Sequence, residues 1–124
     1  AYIMHIDDER KHLASALHIP YSSIVHQLAT QWGTDFDTLR EVFHGLPTYR
    51  DLPAPDSLQS RFIVEDLPFG IDPLVKLGED LGVSLPYSEK LAAFAHAVFD
   101  QVPEPDLGFI NAETIAAVQG TGLA

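Results

Sequence analysis

The chain has 124 residues, with 18 acidic side chains against 7 lysines and arginines, a formal net charge of −11 and no cysteine. This charge argues against a nucleic-acid partner and against an anionic membrane face, because both contacts need clustered Lys and Arg. The lack of cysteine excludes disulfides, thiol catalysis and Cys-ligated metals. No apolar run reaches the roughly 18 residues of a spanning helix and no signal-peptide pattern is present, so we expect a soluble, cytoplasmic protein.

The first half of the chain has a helical period of apolar residues. We expect a first helix over 7–19, capped by one of the two aspartates at its start, and a second from 23 to 32. A short third helix follows, with Thr34 and Asp37 as its capping pair. The stretch 46–57 is rich in proline but also holds large apolar side chains, which predicts an ordered connector.

The second half continues the helical pattern after one ambiguous stretch. Residues 58–71 are compatible with a helix or a strand, and proline and glycine interrupt them. Asp72 before a proline predicts the N-cap of a Leu-rich helix that ends at Gly82. A further helix begins at Pro86, and Asn111 can cap a short last one. The sequence therefore predicts an all-α fold, a single compact bundle of about six or seven helices over 1–124.

The histidines and glycines give few chemical signals. His5, Asp8 and His12 would share one helix face and could bind a divalent metal, but a solvated polar face is the favoured interpretation. His96 lies on the polar side of its helix, and we expect it to be solvent exposed. No GxGxxG or Walker A pattern occurs. We therefore assign no metal ligand and no cofactor-binding residue within this chain.

Two other positions carry more information. Arg10 falls on the apolar side of the first helix, where a guanidinium needs an anion, either a structural carboxylate or a substrate carboxylate. Glu65 and Asp66 stand between apolar residues and before Leu-Pro, which does not suit the interior of a helix or a strand. We expect these carboxylates to be partly desolvated and so suited to proton transfer. The alternative is a helix-terminal acid or a salt bridge to Arg61.

A resemblance to a known family rests on one ordered run, Arg61-Phe62-Ile63-Val64-Glu65-Asp66-Leu67-Pro68-Phe69-Gly70. Further matching positions follow and precede it: Leu77-Gly78, Leu81-Gly82-Val83, Pro86, Ile6-Asp7-x-Glu9-Arg10 and Pro47-x-Tyr49. In this order they resemble the C-terminal helical domain of the octopine/nopaline (opine) dehydrogenases. Phe62 and Phe69 stand where that family commonly has tyrosine, and Leu85 replaces a threonine that would cap the following helix.

The resemblance implies an NAD- or NADP-dependent reaction that joins an amino acid to a 2-oxo acid and reduces the imine. It implies a catalytic histidine in a His-Pro segment upstream, with Asp66 as its acidic partner. On the same basis we assign substrate binding to Arg61, Glu65, Arg10 and Tyr49. The coenzyme would be held mainly by an N-terminal Rossmann domain that these residues do not contain.

The first residue is not methionine, and we expect the chain to be part of a longer enzyme that is inactive without its coenzyme domain. The alternative is a non-catalytic helical interaction or dimerisation domain. In that case the apolar residues Phe94, Val98 and Phe99 would be shared with a partner, such as a second copy in a homodimer.

Overall fold

The computed structural model describes residues 2–54, 56–57, 61–99 and 102–121, with the side chains of Arg61 and Phe62 outside the description. Within these residues the regular structure is helical throughout and no strand occurs, which confirms the predicted all-α class. The helices are α1 (Tyr2–Ala16), α2 (Ile24–Trp32), α3 (Leu39–Gly45), α4 (Pro47–Arg50), α5 (Arg61–Asp66), α6 (Asp72–Leu81), α7 (Pro86–Val98) and α8 (Ala112–Gly120). A π-helical segment, Leu67–Ile71, here called the π-turn, joins α5 to α6.

The chain forms two compact units, a larger one of residues 1–21 and 56–124 and a smaller one of residues 22–55. In the larger unit α1 packs against α6 and α7, and the π-turn packs against α7. Buried Leu67, Ala92 and Ala95 form a hydrophobic cluster there, which joins the π-turn to α7. In the smaller unit α2 packs against α3, and α3 against α4.

Local sequence signals explain how the helices of the smaller unit begin and end. The Ser23 hydroxyl accepts a hydrogen bond from the His26 backbone N–H and caps α2, which ends at Gly33 in the left-handed conformation. The predicted Thr34–Asp37 cap for α3 is wrong, because Thr38 and Glu41 form the capping box four residues later. Backbone N–H donors at the start of α3 lower the pKa of Glu41.

The start of α1 also differs from the prediction. The helix begins at Tyr2, so Asp7 lies within it rather than at its N-cap, and its carboxylate is buried. An aspartate at this depth needs partners, since a buried unpaired charge is costly. Those partners, Arg10 and Tyr21, are described with the site below.

The region 61–81 is one continuous helix, which the sequence did not predict. The N–H of Asp72 donates to the Leu67 carbonyl, five residues earlier, as in a π-helix. Pro68 has no N–H, and in a regular α-helix its ring would crowd the carbonyl four residues before it. The wider π-turn accommodates the proline without ending the helix.

Helix α7 is capped from a distant part of the chain. Leu85 at its N-cap position offers no side-chain acceptor. Instead, the buried Glu9 carboxylate of α1 accepts hydrogen bonds from the backbone N–H groups of Tyr87 (2.6 Å) and Ser88 (2.9 Å) and from the Ser88 hydroxyl (2.6 Å). Helix α7 is therefore capped even though Leu85 stands where the resembling family has a threonine before Pro86.

Glycines permit the tight connection between α6 and α7. Gly82 adopts φ of 67° and ends α6 in the left-handed conformation. A Cβ at Gly78 would lie 2.5 Å from a Leu85 methyl carbon. Because Leu85 is 1% exposed, only a residue without a side chain lets this connection pack so closely.

Candidate functional site

The acidic pair lies at the end of α5, directly before the π-turn. Glu65 and Asp66 are both exposed, so the prediction that their carboxylates are partly desolvated is wrong. The apolar neighbours Leu67 and Pro68 are the buried residues of this stretch. The acids therefore face outward from a helix whose following turn is anchored in the core.

Asp66 lines two adjoining hollows in the larger unit. An open hollow of about 610 Å³ is bordered by Glu65, Asp66, Phe69, Gly70 and Ile71. A second, of about 280 Å³, is bordered by apolar side chains and Asp66: Ile63, Asp66, Leu67, Ile71, Leu91 and Ala95. A carboxylate at the edge of two largely apolar hollows can hold a cationic or hydrogen-bonding group while the apolar walls accept a side chain.

Phe69 marks the outer edge of this site. It is 70% exposed at the centre of the π-turn. A helix widened at this point presents Asp66 and Phe69 to the same hollow. The sequence placed both residues in the matching run, but not the π-turn that presents them, because its wider hydrogen-bond pattern has no local composition signal.

Arg10 has a structural anion as its partner. Its guanidinium lies 2.5 Å from the carboxylate of Asp7, which also accepts a hydrogen bond from the Tyr21 hydroxyl at 2.8 Å. The guanidinium lies 6.0 Å from the centre of the Tyr21 ring. Burial, and then the bond to Asp7, raise the pKa of Tyr21 to about 12. Of the two interpretations of Arg10, the structure shows the structural one, and a substrate role stays a prediction.

The two remaining predicted binding residues, Tyr49 and Arg61, lie on α4 and α5. Tyr49 lies on α4 in the smaller unit, with its ring edge-on to Phe43 (5.4 Å between centroids) and to Trp32 (6.3 Å). The backbone of Arg61 belongs to α5, one and a half turns before Asp66, and its side chain is outside the description. Their roles in substrate binding stay predictions.

A second acidic residue near the site has an unexpected partner. Asp72, the first residue of α6, does not cap the helix, because the π-turn already precedes it in helical conformation. Its carboxylate instead lies 2.9 Å, by both oxygens, from Nε2 of His96 on α7. His96 is therefore partly exposed but paired with Asp72. The sequence did not predict this contact, because the two residues belong to different helices.

The metal interpretation receives no support from the part of the chain that is described. There, no group of three or more His, Asp or Glu side chains is arranged to hold a metal ion. The ring of His5 stacks on Tyr87 at 4.2 Å, while His12 lies 4.0 Å from Asp8. The predicted face is thus divided between an aromatic contact and a weak surface pair.

The chain contains no glycine-rich phosphate loop. The described segments contain no strand from which such a loop could lead into a helix.

The described segments also contain no helix that is long and apolar enough to cross a membrane.

Fold and site together define an all-helical domain that carries an exposed acid at a π-turn. Residues 1–99 match the family described as NAD/NADP octopine/nopaline dehydrogenase, alpha-helical domain, and the chain belongs to this family. The resemblance predicted from the run 61–70 is thereby confirmed. The family description is that of dehydrogenases, oxidoreductases that use NAD or NADP.

One curated relative is an opine dehydrogenase from Arthrobacter sp. (strain 1C). It is 27% identical over 95 residues, which cover 77% of this chain and 26% of the relative. The chain thus spans about a quarter of the length of that protein. No solved structure matches the chain significantly.

Proposed function

We propose that this chain is the substrate domain of an opine dehydrogenase, which condenses an amino acid with a 2-oxo acid and reduces the product. The observation that carries the proposal is the position of Asp66, exposed at the π-turn and lining both hollows, within a family of octopine/nopaline dehydrogenases. The coenzyme is assigned to a separate Rossmann domain, as the family resemblance implies, since this chain contains no glycine-rich phosphate loop. The isolated chain is then inactive.

The proposed reaction needs a proton carrier close to the reacting nitrogen. The amine would attack the carbonyl carbon and a water molecule would leave. NAD(P)H held by the coenzyme domain would supply the hydride for the imine carbon, and the nitrogen would take a proton. A histidine from the coenzyme side would move these protons. The Asp66 carboxylate would accept a hydrogen bond from that imidazole, fix its tautomer and stabilise its charged form.

The substrates set further requirements. Both carry carboxylates, which bind to guanidinium groups most strongly when two N–H donors are aligned. Arg61, on the same helix as Asp66, is the proposed donor, with Glu65 placed to accept from the substrate amine. Arg10 and Tyr49 complete the proposed set, Arg10 through the part of its guanidinium that Asp7 leaves exposed.

The role of Asp66 is tested in the protein that joins this chain to its coenzyme domain. We expect Asp66→Asn to lower kcat for NAD(P)H oxidation by about a hundredfold or more, because the amide cannot stabilise an imidazolium. The isosteric change should leave the melting temperature unchanged. Glu79→Gln, an exposed acid on α6, serves as the matched control and should retain wild-type turnover. Undiminished turnover in Asp66→Asn would contradict the assignment.

A second candidate function is a non-catalytic interaction domain. It is favoured by the exposure of Phe94 (63%) and Val98 (41%) on α7, whereas Phe99 packs against the core cluster. An apolar face of this kind is a common partner surface. Self-association of the chain in light scattering, together with an absence of turnover in the two-domain protein, would favour this function over the enzyme.

A further inference from the structure

The geometry points to a positioning residue for Asp66 that the family assignment does not supply. We propose that His96 holds the π-turn, through its hydrogen bonds to Asp72, in the conformation that presents Asp66 to the substrate. This inference rests on the proposed function of Asp66. It concerns a contact between two helices, α6 and α7, and not a contact with substrate.

Asp66 and Asp72 lie at opposite ends of the π-turn. Asp66 immediately precedes the π-turn and Asp72 immediately follows it. A π-turn differs from an α-helix by a single residue, so a change of register would rotate everything before it by about 100° relative to α6. The direction of Asp66 therefore depends on what holds the two ends of this turn.

Helix α7 holds the turn through two different kinds of contact. Leu67 at its beginning is 4% exposed and packs with Ala92 and Ala95. Asp72 at its end is bound by His96, the residue next to Ala95. One contact is apolar and the other is polar and directional, so both ends of the turn are tied to a single helix.

The pair of Asp72 and His96 has a defined hydrogen-bond direction. A carboxylate has no hydrogen to give, so Nε2 of His96 is the donor to both oxygens. The side chain of Asp72 is 13% exposed and that of His96 is 44% exposed. The carboxylate is thus shielded while the imidazole covers its open side, which favours a fixed geometry over a mobile surface pair.

The cavity beside Asp66 links the pair to the site. Its wall includes Asp66 at the end of α5, Ile71 from the turn and Ala95 from α7. Because Ile71 and Ala95 adjoin Asp72 and His96 in the chain, any slip of α7 against the turn would reshape the wall that Asp66 shares.

The experiment compares His96→Ala, His96→Gln and Asp72→Ala in the two-domain protein. We expect both alanine variants to lower kcat by about tenfold or more, with the KM of each substrate within about twofold of wild type. The double variant should be no slower than either single one. His96→Gln should recover most of the turnover, since its amide can donate to Asp72. His26→Ala, an exposed helical histidine of α2, is the control.

A second readout does not depend on activity. In the 124-residue chain, the backbone amide resonances of Asp66, Leu67 and residues 69–71 should shift in His96→Ala and return toward wild type in His96→Gln. Wild-type resonances and turnover in His96→Ala would overturn the proposal, as would equal losses in His96→Ala and His96→Gln. If the wild-type two-domain protein turns over no substrate, the proposed function fails. Shifted and rescued resonances would then still support the positioning contact.

Discussion

The Asp7 carboxylate contacts the side chains of Arg10 and Tyr21 in the larger unit. It is buried and accepts hydrogen bonds from Arg10 and from the Tyr21 hydroxyl. A helical wheel predicts that Arg10 needs an anion, but it cannot select Asp7, because in the sequence Asp7 and Asp8 are alternative candidates for the N-cap of the helix. Because α1 begins at Tyr2, Asp7 lies inside the helix and is the buried partner of Arg10.

Tyr21 provides a pH test of this cluster. Its pKa is raised to about 12 by burial and by the bond to Asp7, whereas in the unfolded chain a tyrosine titrates near about 10. Between these values the folded state keeps a proton that the unfolded state has lost. The contribution of Tyr21 to the free energy of unfolding should therefore be complete below this window. It should decrease as the pH rises through the window.

The measurement is ultraviolet difference absorbance during an alkaline titration, with Tyr21→Phe to assign the signal among the 4 tyrosines. The transition near pH 12 should disappear in the variant. If the variant instead loses a transition near pH 10, the hydrogen bond to Asp7 does not shield the phenol.

At the scale of helices, the sequence predicted the α-helical periods and the ends marked by glycine. It did not predict which residues would cap α3, or that 61–81 would run through a proline. The capping error arose because a hydroxyl followed three residues later by an acid occurs twice within residues 34–41, and Thr38 with Glu41 forms the cap that the fold uses. The π-turn was not predicted because the sequence Pro-Phe-Gly ordinarily signals the end of a helix.

Helix α7 shows why a long-range cap is invisible to sequence reasoning. Leu85 predicts a poorly capped start, yet Glu9 supplies the acceptor from α1. This carboxylate joins the first helix of the larger unit to the helix that backs the site. Its loss should therefore weaken the whole unit and not α7 alone.

We expect Glu9→Ala to lower the free energy of unfolding by about 2–4 kcal/mol, because two backbone donors and a buried hydroxyl lose their acceptor. Glu9→Gln keeps one acceptor oxygen and should cost less. Urea unfolding followed by circular dichroism measures both. Asp8→Ala, the adjacent and exposed acid of α1, should change stability by no more than about 0.5 kcal/mol. Equal effects at the two positions would rule out a capping role for Glu9.

At the scale of the whole molecule, fold class and family could be predicted from the sequence, whereas the arrangement of the site could not. The run 61–70 carries the family because its composition is unusual over ten consecutive positions. Contacts such as Asp72–His96 arise from the packing of separate helices, which no local pattern encodes.

The net charge of −11 bears on the proposed substrates at this same scale. An acidic domain repels anions unless its few cations are concentrated where the substrate binds. Because Asp7 engages Arg10, we propose Arg61 as the main cation for substrate carboxylates. The coenzyme domain would supply any further positive charge.

The most direct test of the central claim is NAD(P)H oxidation by the two-domain protein with an amino acid and pyruvate, with the product identified by mass spectrometry. We predict oxidation that requires both substrates and yields the secondary amine formed from them. The 124-residue chain alone should give none. Oxidation that proceeds with the oxo acid alone, or no oxidation with acidic, basic and neutral amino acids in turn, would contradict the account.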